Sequence, residues 1–144
     1  MFVTDITLQN HTRVQLAEWL AQDTWVIACL CAAWCDTCRA YRQSFDQLAA
    51  LHPDKHFVWI DVEDQADFIG DIDVENFPTL LMQRGDTVAF FGMVLPDVRL
   101  ADRLLLAQVE KSETELRAEA TSSQERTEWQ RMCNLRTRLD AATD

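Results

Sequence analysis

The sequence predicts an α/β fold: a central mixed β-sheet flanked by helices, with a helical C-terminal extension. Three observations predict it. The run Trp25–Cys31 is wholly apolar, as in a central strand covered on both faces, and sits between two helical patterns. Two further strand-like runs lie on either side of Arg84-Gly85-Asp86, a hairpin signature. Beyond Lys111 the chain has no Pro or Gly and alternates charges at helical spacing. With 144 residues, 48% of them hydrophobic and 26% charged, the chain can bury the core of one ordinary domain.

The elements follow in order. Residues 2–8, rich in β-branched and apolar side chains, read as a first strand. Asn10 and Thr12 are candidate N-caps, with Gln15 completing a capping box, for a helix that carries Leu16, Trp19 and Leu20. After the strand at 25–31 comes a helix over residues 38–51, with Tyr41, Phe45, Leu48 and Leu51 at helical intervals, stopped by His52-Pro53. Residues 57–62 read as a strand joined to the previous one by a crossover, hence parallel to it. A short helix around residues 65–69, the hairpin of 79–83 with 87–91, and a helix opened by Pro96-Asp97 and running to Val109 complete a domain over residues 1–110. Residues 111–144 form the extension, where Trp129, Met132, Cys133 and Leu139 share a helical stripe and Thr121-Ser122-Ser123-Gln124 marks a break.

Net charge is −11, and it is uneven: residues 1–110 hold 7 basic and 17 acidic side chains, residues 111–144 hold 6 and 7. Such a field repels phosphate backbones and anionic lipid, so neither nucleic acid nor a membrane surface is an expected partner. No export signal or membrane span is visible, and a reducing cytosol is the expected compartment.

Five cysteines are an odd number, and four of them fall within residues 29–38, too bunched to staple distant parts of a domain. No structural disulfide is expected. Cys35 and Cys38 form a C-x-x-C pair where a buried strand ends and a helix begins. There the first sulfur meets the unpaired N–H groups and positive end of the helix, which favour the thiolate. Cys35 is thus the expected nucleophile, and Cys38, one turn further in, the resolving thiol. Cys29 and Cys31 lie two apart on one face of a strand and read as packed thiols, with a proton or thiol role for Cys29 as the alternative.

The segment Ala32-Ala33-Trp34-Cys35-Asp36-Thr37-Cys38, the segment Asn76-Phe77-Pro78-Thr79-Leu80, and Gly92 after the last strand resemble the thioredoxin family, and the order of elements agrees over residues 1–110. The resemblance implies a thioredoxin fold and thiol–disulfide exchange, with a role in cell redox homeostasis. It implies a cis Pro78 lying against the cysteine pair, with Phe77 and Trp34 contributing to substrate docking. The expected partners are disulfide-containing proteins and a reductase or small thiol as electron donor. No metal or organic cofactor is expected.

Three features depart from the family pattern. Cys29 stands where a buried Asp is usual, Trp59 where the neighbouring strand often carries a basic residue, and Asp36-Thr37 where Gly-Pro is usual. An anionic Asp36 opposes thiolate formation at Cys35, so a reductase-like potential is expected. Because the acid–base pair is lost and a tail is added, a binding or chaperone-like module with incidental redox activity is the alternative reading. Assembly through the tail helix is a third. The four sulfurs at residues 29–38 lack the two separated knuckles of a zinc site, and Asp71, Asp73 and Glu75 lack the glycine of a calcium loop. His11, His52 and His56 read as surface residues and Cys133 as a bystander.

Overall fold

The computed structural model describes residues 5–70, 72, 74, 76–94 and 97–142. Its elements are β1 (Asp5–Thr7), α1 (Arg13–Ala21) entered through a 3-10 turn at Asn10–Thr12, β2 (Trp25–Cys31), α2 (Asp36–Leu51), β3 (His56–Asp61) and α3 (Ala66–Ile69). They continue with β4 (Thr79–Arg84), β5 (Thr87–Met93), α4 (Val98–Val109), α5 (Glu113–Ala120), α6 (Gln124–Met132) and α7 (Leu135–Ala142). The readings that rested on residues 2–4, on Asp71, Asp73 and Glu75, and on Pro96 lie outside the described residues.

The five strands form one mixed sheet in the order β1-β3-β2-β4-β5. β3 runs parallel to both β1 and β2, as a crossover connection requires, whereas β4 is antiparallel to β2 and to β5. A two-residue turn closes the β4–β5 hairpin, and Gly85 takes φ +54° there, a conformation open to glycine without a Cβ penalty.

Alternation along β2 divides the core. Val26, Ala28 and Leu30 join α1 and α3 on one face, through Leu16, Trp19, Leu20 and Phe68. Ile27, Cys29 and Cys31 join α2 and α4 on the other, through Cys38, Tyr41, Phe45, Ala101 and Leu105. This period-two division places Cys29 and Cys31 beneath the first turn of α2, which carries Cys38.

Several local expectations need correction. The capping box lies one turn earlier than Thr12–Gln15: the Gln9 amide donates to Thr12 Oγ1 at 2.7 Å, and that hydroxyl donates back to the Thr7 carbonyl at 3.1 Å. Thr12 is thereby engaged backwards and leaves α1 without a side-chain cap. Gly92 lies within β5 and not after it, where a Cβ would meet the Phe90 ring at 3.3 Å. Only His11 of the three histidines is exposed. His52 is buried with Nε2 2.5 Å from Asp102 Oδ1, tying the end of α2 to α4, and His56 stacks on Trp19.

The extension is three short helices that dock on the rest of the chain, α5 and α6 against β5 and α7 against α1 and α3. Trp129, Cys133, Leu135 and Leu139 belong to the same core as β2 and α1, with Met132 packed against it. The helical stripe therefore faces inward, onto the domain itself. Polar contacts pin it. The buried Gln83 side chain on β4 donates to Asn134 Oδ1 at 2.9 Å and accepts from the Leu135 amide at 2.8 Å. Gln130 bonds both the N–H and the carbonyl of Val88, at 2.8 and 2.7 Å, covering part of the open edge of β5.

Two surface carboxylates set an acid sensitivity. The Arg13 guanidinium holds Asp67 below the usual carboxylate range, and the Arg99 amide does the same for Asp97, the N-cap of α4. A carboxylate with a lowered native pKa stabilises the fold above its ordinary unfolded value of about 4. That contribution is lost as pH falls through the native value. The Asp67→Asn/Asp97→Asn double variant is expected to show a shallower fall in urea midpoint between pH 5 and pH 2 than the wild type (about the window such groups titrate in). An identical slope would contradict this.

Candidate functional site

The site grows out of the β2–α2 junction. β2 ends at Cys31, the chain crosses Ala32, Ala33 and Trp34, and Cys35 takes an extended conformation as the N-cap of α2. Two hydrogen bonds fix this crossing: the Cys35 amide donates to the Ala32 carbonyl at 3.0 Å, and the Ala33 amide donates to Asp61 Oδ2 at 3.1 Å. Asp61, at the end of β3, also accepts from the Glu63 and Asp64 amides, so one carboxylate holds the turn after its own strand and the loop before α2.

Cys35 is half-buried at the helix start and its thiol is free, whereas Cys38, one turn into α2, is 1% exposed. The bond partner of Cys38 is Cys31, across a Cα–Cα distance of 5.8 Å that suits a disulfide. This corrects the expectation that Cys31 merely packs. Strand parity explains it: Cys31 closes β2 on the face that α2 covers, directly under the first turn that carries Cys38. A sulfur forms one disulfide at a time, so Cys35 is left as a thiol.

Cys29 lies behind this bond, fully buried, with its sulfur 3.7 Å from that of Cys31. Burial pushes its thiol far above the ordinary range, and the nearby Arg42 charge only partly opposes that. Cys29 is therefore a protonated thiol, and because the bonded Cys31 carries no hydrogen, Cys29 is the donor in their contact. In register, Cys29 pairs with Trp59 on β3, and the Arg42 guanidinium lies 4.7 Å from the Trp59 ring centroid. The cation near the buried site thus comes from α2, which the sequence reading missed.

Asp36 and Thr37 are both exposed. Asp36 forms an ion pair with Arg39, whose guanidinium also donates to the Ala33 carbonyl at 2.8 Å. Part of the negative charge expected to act on Cys35 is therefore neutralised locally, by a residue the sequence reading did not include.

The Phe77–Pro78 bond is cis. Trp34, 65% exposed, meets the Phe77 ring edge-on with centroids 5.7 Å apart, and Phe77 packs in the cluster that includes Cys35 and Cys38. The structure thus brings Trp34, Cys35, Cys38 and Phe77 together. A cavity of about 390 Å³ is lined by Cys38 together with Ala32, Ala33, Arg39, Arg42, Trp59 and Asp61. Among the described residues, no group of three or more His, Cys, Asp or Glu side chains is arranged to hold a metal ion, and no helix is long and apolar enough to cross a membrane.

A mixed sheet in this order, with cysteines at the junction of its central strand and the following helix, is the thioredoxin fold. The thioredoxin family model matches residues 7–115, and the chain belongs to that family, one of thiol–disulfide oxidoreductases. Among curated proteins the chain is similar to thioredoxin H5 of rice (Oryza sativa subsp. japonica), 29% identical over 84 residues. That match covers 58% of this chain and spans about 60% of the relative's length. A poplar thioredoxin h has the same fold, with a TM-score of 0.66 at 19% identity, covering 76% of this chain and 99% of its own. A thioredoxin from Nicotiana alata gives 0.64 at 18% identity, over 75% of this chain and 95% of its own.

Proposed function

We propose that the protein is a protein-disulfide reductase that works by dithiol–disulfide exchange, with Cys35 as the attacking sulfur. The observation that carries this reading is the placement of the half-buried Cys35 thiol at the start of α2, beside the buried Cys38. The Cys35 thiolate attacks a substrate disulfide and one substrate sulfur leaves as a thiolate. Cys38, once in its thiol form, attacks the mixed disulfide, releasing the second substrate thiol and closing Cys35–Cys38. Trp34 and Phe77 supply an apolar surface for the substrate, and the backbone before Pro78 pairs with its extended chain. A reductase or a small thiol returns the two electrons, in a reducing cytosol. The strongly acidic chain favours basic or neutral protein substrates.

Insulin reduction by dithiothreitol is the test. Faster precipitation with the wild type than with Cys35→Ser is the expected result. Equal, background turbidity for the two would overturn the reading in favour of a binding module with incidental thiols.

A further inference from the structure

We propose that Cys31 is a third redox-active cysteine, which competes with Cys35 for Cys38 and moves the disulfide inward, so that the oxidised protein keeps Cys35 as a free thiol. This rests on the reading of Cys35 as the attacking sulfur and extends it to the strand behind.

Three observations converge on Cys31. It closes β2 on the face that α2 covers, and its sulfur is bonded to Cys38 while Cys35 is free. The Cα atoms of Cys31 and Cys38 are 5.8 Å apart, a native disulfide spacing that asks for no movement of the strand or helix. Behind it the Cys29 thiol lies 3.7 Å from the Cys31 sulfur, a donor beside the atom that carries charge when Cys31 attacks Cys38. Burial keeps that donor protonated. Cys29 is thus a positioning residue for Cys31.

The step balances without an outside reagent. When a substrate has been reduced and Cys35–Cys38 is closed, Cys31 loses its proton and its sulfur attacks Cys38. The Cys31–Cys38 bond forms, the Cys35–Cys38 bond breaks, and Cys35 leaves as a thiolate that takes up one proton. No electrons enter or leave, so this is an isomerisation of one disulfide. Its consequence is chemical: a molecule already oxidised by one substrate still presents a nucleophilic thiol at the surface and forms a mixed disulfide with a second. An ordinary two-cysteine site is silent at that stage.

The test uses the whole protein. Reduced wild type is treated with one equivalent of diamide, quenched in acid and labelled with N-ethylmaleimide. It is then reduced, labelled with iodoacetamide and digested with trypsin. No Lys or Arg falls between Arg13 and Arg39, so residues 14–39 form one peptide carrying Cys29, Cys31, Cys35 and Cys38, whose labels tandem mass spectrometry assigns. In most oxidised molecules Cys35 is expected to carry the first label, and Cys31 and Cys38 the second. The first label on Cys31 in most molecules, with the second on Cys35 and Cys38, would overturn the proposal. In Cys31→Ala the second label is expected to shift onto Cys35. Should that variant fail to fold, the wild-type pattern decides alone. The insulin assay separates the two claims: wild type that reduces insulin but closes only Cys35–Cys38 refutes the inward shift alone, whereas inert wild type with Cys31–Cys38 closed refutes the reductase reading alone.

Discussion

Deleting the chain after Lys111 is expected to unfold the domain, although the family match ends near that point, at residue 115. The tail fills the core. Leu135 is 0% exposed and Leu139 6%, both in the cluster that holds Leu16, Val26 and Val58. Removing a single buried leucine side chain costs about 2–5 kcal/mol. Trp129 adds a large ring, T-shaped against Phe90. Gln83 would also lose its Asn134 and Leu135 partners. Together these losses match or exceed the total stability of an ordinary domain, about 5–15 kcal/mol. Circular dichroism and light scattering of the truncated chain are expected to show lost cooperative melting and aggregation. A monodisperse fragment with the wild-type melting temperature would contradict the docking of α6 and α7. Leu135→Ala in the full chain is a milder form of the same test, with an expected loss of about 2–5 kcal/mol.

Replacing Cys35 by serine is expected to remove the catalysed part of insulin reduction, leaving the dithiothreitol background. A serine hydroxyl is not ionised near neutral pH and is a poor nucleophile towards sulfur, and the other sulfurs at the junction, Cys29, Cys31 and Cys38, are 1% exposed or less. Since Cys35 is only half-buried and bonds through its backbone, melting of Cys35→Ser is expected to stay close to that of the wild type. Cys38→Ser separates the two chemical roles. Attack by Cys35 still proceeds, but the mixed disulfide has lost its resolving thiol, so a substrate adduct is expected to accumulate and be visible by mass on non-reducing gels. Steady turnover by Cys35→Ser would contradict the assignment of the nucleophile.

Much of this was legible in the residues. β2 was readable end to end because seven consecutive apolar side chains admit few other readings, and α2 and β4–β5 followed from helical spacing and the Gly85 turn. The Cys31–Cys38 bond was half legible. Alternation put Cys29 and Cys31 on one face, but only the position of α2 over that face shows that the last strand thiol meets Cys38. Arg39 and Arg42 were not legible as parts of the site, since their roles depend on which way two long side chains turn, onto Asp36 and Trp59. The tail was readable as helical, but not in its direction of packing. Its anchors join residues about fifty positions apart, such as Gln83 to Asn134, and no local pattern announces such a pair.

The central claim is that the junction cysteines act as a reductant of protein disulfides. Asp36 beside Cys35 and the absence of a cationic residue between the two cysteines point in that direction, although Arg39 moderates the Asp36 charge. A redox titration in dithiothreitol buffers, read by maleimide mass shift of the site thiols, tests it most directly. A midpoint near the reducing end of the family, about −270 mV, is expected, where the reduced pair passes electrons readily to substrates. A midpoint near about −120 mV, the value of a strong disulfide donor, would contradict it.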